Sequence, residues 1–172
     1  MACSTTLSGL TLDCRDSVGG IEALYILPAN SGISFTASAG AVALTGISVD
    51  GAALTALTDL EQYELTRETG DIAEAGTYSN ENGTVFYTQT LNAIFNKLSG
   101  DKLDELYQVA KNVKLCVIAL DNNGKYWLIG NSQGAFASGH AAQTGTAFGD
   151  RNGVTLTITG ITKEPMVEVT VA

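Results

Sequence analysis

Residues 115–130, LCVIALDNNGKYWLIG, decide the fold of this chain. The stretch opens with six consecutive apolar residues, 115–120, and a second apolar run follows around Trp127. Between the two runs, Asn123-Gly124 is the dipeptide most typical of a two-residue hairpin turn, because both positions accept positive φ. The stretch therefore predicts two antiparallel strands side by side, the first of them buried.

The same signals recur on both sides of this hairpin. Asn82-Gly83 precedes a long run rich in threonine and aromatic residues, and Asn152-Gly153 precedes a run in which apolar and polar residues alternate. We expect each of these dipeptides to form a hairpin turn that leads into a strand. The strands predicted outside 115–130 are 21–27, 61–68, 84–95, 154–160 and 167–171.

One segment, 101–113, follows the helical period instead. Its acidic residues lie in the first half and Lys111 lies near its end, which suits the helix dipole. Its apolar positions, spaced by three and four, are Leu103, Leu106, Tyr107, Ala110 and Val113. The sequence thus predicts a mainly β fold of the α+β class in a single domain, 1–172. We expect an antiparallel β-sandwich or barrel-like sheet with one flanking helix and long loops.

Composition narrows the class of protein. The chain has 172 residues and a mass of 17.9 kDa, enough for one domain with a substantial core. With 9 basic against 18 acidic residues its net charge is −9. Binding of nucleic-acid phosphates requires clustered lysine and arginine, so this charge argues against a nucleic-acid-binding protein. No run predicts a membrane helix, and the N-terminus lacks the pattern of a signal peptide. We therefore expect synthesis in the cytoplasm and no membrane partner.

Side chains that support catalysis or metal binding are sparse. The three cysteines, Cys3, Cys14 and Cys116, are not at metal-ligand spacing, and the one histidine, His140, lies in a predicted loop of small residues. We expect reduced thiols that act as small apolar groups, with a Cys3–Cys14 disulfide as the alternative. The sequence therefore predicts no enzyme, no cofactor and no metal.

A segment of small residues, 28–58, interrupts the strand pattern, and Asp50 is its only charge. Short side chains bury little area each, so we expect a loop or hairpin insertion that needs a partner surface to become ordered. An ordinary surface insertion is the alternative. The candidate residues for contact with a neighbouring subunit are Ser34, Thr36, Val42 and Leu44.

The negative charge is concentrated between positions 59 and 81. Seven acidic residues and one basic residue, Arg67, lie there, so the segment carries −6 of the net charge of −9. The predicted strand 61–68 would place Glu64 and Glu68 on one exposed face, because side chains alternate along a strand. Such a run is either a solvated face or an acidic surface with a function.

Five segments of the chain form a recognisable set: GLTLDCRDSVGGI (9–21), YELTRETG (63–70), NENGTVFY (80–87), DNNGKYWLIG (121–130) and GDRNG (149–153). Together they resemble structural proteins of tailed phages and prophages of Bacteroidetes-type hosts, and most of all tail tube proteins. The resemblance covers most of the chain except 28–58.

The resemblance implies a virion protein of the phage tail that assembles with itself. Tail tube subunits form a hexameric ring, and the rings stack into a tube that contacts other tail proteins and conducts the phage DNA without binding it specifically. On this interpretation Glu64, Glu68, Asp71 and Glu74 are candidates to line the lumen. A capsid decoration protein or a head–tail connector is the first alternative, and a carbohydrate-binding β-module is a weaker one.

Overall fold

The computed structural model describes residues 9–13, 15–36 and 40–171. Short 3-10 turns lie at Leu44–Gly46, Leu57–Asp59 and Asn131–Gln133. The strands and the helix are, in chain order, β1 (Ile21–Pro28), β2 (Ile33–Phe35), β3 (Ala41–Ala43), β4 (Ile47–Val49), β5 (Ala52–Ala53), β6 (Glu61–Glu64), β7 (Gly70–Ser79), β8 (Thr84–Asn96), α1 (Gly100–Lys111), β9 (Leu115–Asp121), β10 (Tyr126–Ile129), β11 (Ala135–Gln143), β12 (Gly153–Thr162) and β13 (Val167–Thr170).

Ten of the strands form one sheet that folds back on itself at the boundary between β9 and β11, which share only the pair Leu115 and Ala135. On one side of this corner lies the front sheet, with strand order β11-β12-β8-β7. On the other side lies the central sheet, made of β6, β1, β9, β10, β13 and β3. The predicted mainly β fold with one flanking helix is confirmed. One departure is that β13 and β3 pair in parallel.

The first hydrophobic core lies between the two sheets. Ile26 and Val117 of the central sheet pack in the same cluster as Leu91 and Leu156 of the front sheet, and all four are almost completely buried. Helix α1 adds two buried residues to this cluster, Leu106 and Val109. Burial of an aliphatic side chain contributes about 1.5–3 kcal/mol, so this cluster is a major source of the stability of the fold.

A second core covers the opposite face of the central sheet. Ile118 and Leu128 point into it, and the other half of the cluster comes from the segment of small residues, for example Ile47 and Val49. The middle strands of the central sheet, β1 and β9, are therefore buried on both faces over most of their length. This explains why 115–119 is continuously apolar, because a strand with two buried faces cannot alternate.

The structure corrects the expectation for residues 28–58. Pro28 ends β1. The segment that follows builds a separate three-stranded sheet of β2, β4 and β5, and it also supplies β3, which joins the central sheet beside β13. Its apolar residues are few but are concentrated on one side, where they seal the second core. Over its described residues, 28–36 and 40–58, the surface that the segment packs against is the central sheet of the same chain.

Two of the three predicted hairpin turns are confirmed. Asn82-Gly83 lies in the turn between β7 and β8, and Asn123-Gly124 lies in the turn between β9 and β10. The third prediction is wrong, because residues 144–152 form a longer loop that ends at Asn152, and Gly153 is already the first residue of β12. A Cβ at Gly153 would overlap the carbonyl oxygen of Phe95, so close approach to β8 requires glycine there.

Helix α1 begins and ends slightly earlier than predicted. Ser99 is its N-cap and accepts a hydrogen bond from Lys102 N at 3.4 Å, and the helix ends at Lys111. The predicted apolar face is only partly buried, since Leu103 and Tyr107 are exposed. The spacing identified the helix correctly but overestimated how much of it the core covers.

The Asn-Gly turn between β9 and β10 is fastened by one carboxylate. Asp121 Oδ1 accepts hydrogen bonds from Asn123 N at 2.8 Å and Lys125 N at 2.9 Å, and Oδ2 accepts one from Trp127 Nε1 at 3.2 Å. Partial burial acts to raise the pKa of Asp121, but these hydrogen bonds outweigh it and lower the pKa below its usual 3.8. The turn is therefore held by the ionised form.

Replacing Asp121 with asparagine should reduce the dependence of stability on pH. A carboxyl group whose pKa is lowered in the folded state stabilises above its unfolded pKa, and this stability is lost as pH falls through the folded pKa. We expect the urea midpoint of the wild-type chain to fall from about pH 5 to about pH 3, and that of Asp121→Asn to fall less from a lower starting value. Asp13→Asn, at an exposed position, is the control. Equal slopes in all three proteins would contradict the role of Asp121.

Candidate functional site

The front sheet has two long edges without a strand partner among the described residues. Strand β7 pairs with β8 alone, over Gly70–Ser79. Strand β11 pairs with β12 on one side and touches β9 only at Ala135, so residues 136–143 are free on the other side. Other strands with a single partner, such as β6, are much shorter. The two free edges bound the same sheet on its opposite sides.

The two edges carry little of the usual protection against pairing with another chain. Soluble proteins guard exposed edges with lysine, proline, bulges or a covering element. Strands β7 and β11 contain no lysine, arginine or proline, and β11 has one bulge, at Ser138. Along most of both edges small residues leave the backbone donors and acceptors open to an approaching strand. These edges are therefore the strongest candidate functional surface in the described part of the chain.

The face of the front sheet that turns away from the first core, which we call the open face, is nearly uncharged. Asp71 is the only charged strand residue on it. Threonine dominates its centre, at 88, 90, 155, 157 and 159, where the side chains are half-buried by one another. A chain of hydrogen bonds crosses it: Thr157 Oγ1 donates to Asn92 Oδ1 at 3.1 Å, and Asn92 Nδ2 donates to the Asp71 carboxylate at 3.4 Å.

The four candidate lumen acids do not share one face. Strand β6 ends at Glu64, shorter than the predicted strand 61–68, and Glu64 pairs with Ala23 on the side of the second core. Glu68 lies in the turn between β6 and β7 with φ of 62°. Asp71 lies on the open face, and Glu74 points to the opposite face of β7, since even and odd positions of a strand alternate.

Glu74 instead belongs to a polar network that sequence reasoning missed. Its Oε2 accepts hydrogen bonds from Met166 N at 2.6 Å and from Nε2 of Gln89 at 2.9 Å. Gln89 is completely buried, and its Oε1 accepts from Gly130 N at 2.7 Å. The network ties the front sheet to the turns that follow β10 and β12. Its one signal in the sequence is that Gln89 shares the alternation of apolar Leu91 in the predicted strand 84–95.

The four candidate contact residues in the small-residue segment fall into two groups, one exposed and one buried. Ser34 and Thr36 are exposed. Val42 and Leu44 are each 3% exposed and pack in the second core. The prediction that these two side chains contact a neighbouring subunit is therefore corrected, because they already have partners within the chain.

The residues considered for chemistry are scattered. His140 is part of strand β11, not of a loop, and Cys116 is a free, buried thiol whose pKa burial raises to about 12. Cys3 and Cys14 lie outside the described residues. Over the described ranges no group of three or more His, Cys, Asp or Glu side chains is placed to hold a metal ion.

Two projections extend beyond opposite ends of the front sheet. The β7–β8 hairpin continues past the end of β12 and exposes Tyr78, Val85 and Phe86. At the other end, loop 144–152 holds Phe148 fully exposed. The carboxylate of Asp150 fixes this loop by accepting hydrogen bonds from two backbone N–H groups, at 2.9 and 2.8 Å.

No protein-family model, curated protein or solved structure matches this chain. Within the ranges that the structure describes, no helix has both the length and the apolar character needed to cross a membrane.

Proposed function

We propose that this chain is a structural virion protein, the major tail tube subunit of a tailed phage, which assembles with itself into stacked hexameric rings. The observation that carries the proposal is the pair of long, unprotected edges on opposite sides of the four-stranded front sheet. A ring in which each edge meets the other edge of the next copy removes every such edge at once.

Strand direction supports this closure. The pairs β11–β12, β12–β8 and β8–β7 are all antiparallel, so β11 and β7 run in opposite directions. Copies with the same orientation around a ring would therefore place β7 of one copy antiparallel to β11 of the next. A sheet with an even number of alternating strands can continue in this way around the whole ring.

The open face supports a role as a conduit. In a closed ring the first core, α1 and the central sheet lie behind the front sheet, and the open face becomes the lining. Its strands carry mainly threonine, asparagine and alanine, with exposed Phe136 and Ile161 among them, and Asp71 is their one charged residue. Arg151 of the adjoining loop is the one basic side chain that reaches this face among the described residues. Binding of phosphates requires clustered lysine and arginine, and one arginine balanced by one aspartate gives no such cluster, so DNA would pass this lining without being held. Of the four acids expected to line the lumen, this arrangement places Asp71 there.

The resemblance to phage tail proteins supplies the biological setting. It implies an assembled protein in the tail of the virion, in contact with other tail proteins, after synthesis in the cytoplasm of the bacterial host. The purified chain should form rings with a central hole in negative-stain electron microscopy as its concentration rises. A chain that stays monomeric at every concentration would favour the decoration or connector roles.

A proline on the free edge of β11 tests the edge pairing directly. Lys97 N donates to Asn152 O at 2.7 Å, next to the end of the β8–β12 ladder. Along a strand in an antiparallel ladder, the backbone N–H and C=O groups of successive residues point to opposite sides. Even-numbered residues of β12 therefore bond to β8, and Thr155 and Thr157 bond to Ala141 and Gly139 of β11. The N–H of His140 therefore points toward the free edge.

His140→Pro should leave the subunit folded and impair ring formation. Proline is tolerated in an edge strand where its missing N–H faces outward, but it removes a donor from the pairing edge. We expect the concentration at half-assembly, measured by sedimentation, to rise at least about tenfold, which corresponds to about 1.4 kcal/mol. His140→Ala removes the same side chain, keeps the N–H and should assemble normally. Equal assembly of both variants would exclude β11 as the pairing edge.

A further inference from the structure

Opposite charges lie at the two sides of the open face, near the same end of the front sheet. Asp71 is the second residue of β7, the strand at one edge. Arg151 lies two positions before Gly153, the first residue of β12, beside the other edge. Its Nη2 lies 3.5 Å from Thr155 Oγ1, on the open face. With the amide oxygen of Gln143 turned toward it, Arg151 also donates to this β11 residue from Nε at 3.2 Å and Nη2 at 2.9 Å.

The registers available between two copies are few. The open faces of neighbouring copies must stay on the same side, and a slip by one residue would turn every side chain of the strand to the other face. The register of β7 against β11 of the neighbouring copy can therefore shift only by an even number of residues. Within one copy Asp71 lies level with Gly139 of β11, through Asn92 and Thr157.

The even shifts that lengthen the pairing bring the two charges together. The free part of β11 reaches further toward Gln143 than β7 does, because Gly70 is level only with His140. Moving the neighbouring β7 by two or four residues in this direction places Asp71 opposite Ala141 or Gln143. Adjacent strands are separated by about 4.8 Å, a distance that an arginine held at Gln143 can bridge.

We propose that Arg151 of each copy binds Asp71 of the next copy and thereby selects the register of the edge pairing. This inference rests on the proposed ring and adds the residues that specify it. The partner is a second copy of this chain, because the two charges complement each other only across the boundary between β11 and β7. An arginine pairs well with a carboxylate through its planar guanidinium, and it already has one hydrogen-bonding partner at the edge.

Charge-reversal variants test the ion pair between Arg151 and Asp71 independently of ring formation. Arg151→Glu and Asp71→Arg should each raise the concentration at half-assembly by about tenfold, because the like charges recur at every interface of the ring. The double variant Arg151→Glu/Asp71→Arg should return to within about threefold of the wild-type value, since the pair is restored in reverse. Lys111→Glu at the end of α1 is the net-charge control for Arg151→Glu, because both changes add two negative charges, and circular dichroism checks that every variant is folded.

A milder variant gives a second measurement. Arg151→Gln keeps the polar contact but removes the charge, so assembly of this variant should depend less on salt than assembly of the wild type. If the wild type forms rings and both single reversals assemble equally well, the ion pair is overturned while edge pairing stands. A double variant as impaired as the single ones also overturns it. A wild type that forms no rings removes the proposed function, and the ion pair with it.

Discussion

Replacing Gly130 with alanine should destabilise the fold by about 3–5 kcal/mol, a large share of the stability of a typical domain. Gly130 has φ of 82°, a conformation that side chains other than glycine rarely adopt. A Cβ there would overlap Ala135 N and Gly134 C, which are backbone atoms and cannot move aside. Gly160 presses against Gly130 from the front sheet at the same point.

The measurement is the free energy of unfolding by urea at neutral pH. Gly139→Ala is the matched control, because Gly139 lies in β11 without positive φ and a Cβ added there would meet no heavy atom within 4 Å. The control should lie within about 0.5 kcal/mol of the wild type. A loss below about 1 kcal/mol in Gly130→Ala would show that the junction after β10 relaxes, contrary to the close packing of Gly130 and Gly160.

Gln89→Met should cost about 2–4 kcal/mol, although methionine has nearly the same shape as glutamine. The change removes the acceptor for Gly130 N and one donor to Glu74, in a place where Gln89 is completely buried. A buried N–H left without an acceptor costs more than a hydrogen bond is worth in solvent, because water cannot replace the lost partner.

Gln108→Met provides the control for this second variant. Gln108 is exposed on α1, and methionine and glutamine have similar helix propensities, so its free energy of unfolding should hardly change. A cost of less than about 1 kcal/mol in Gln89→Met would show that the network around Glu74 contributes little. Near-ultraviolet circular dichroism checks that the tertiary packing is intact in both proteins.

The parts of the fold that the sequence predicts are those with one dominant local signal. The run at 115–120 must be a buried strand, and Asn123-Gly124 must turn, because few other structures accept such residues. The helical period found α1 for the same reason, even though only Leu106 and Val109 are buried. For the hairpin the local preference and the tertiary contacts agree, whereas the core covers only part of the apolar face of α1.

The parts that were missed have no such signal. Strand β11 is built from small residues and has one free edge, so neither periodicity nor branched side chains mark it. The described part of the segment 28–58, without 37–39, packs against Ile118 and Leu128, which are distant in sequence. The acids of 59–81 were grouped by their spacing, but a turn at 65–69 separates Glu64 from Asp71. Charge density along a chain does not determine which side chains share a face.

The middle strands of the central sheet, covered on both faces, provide an internal reference for global unfolding in hydrogen–deuterium exchange. Val117 and Ile118 are completely buried within this sheet, so their amide hydrogens exchange with deuterium only when the whole domain opens. Outward amides of β7 and β11 need no such opening in the isolated subunit. One labelling experiment therefore reads global unfolding in the first group of peptides and subunit association in the second.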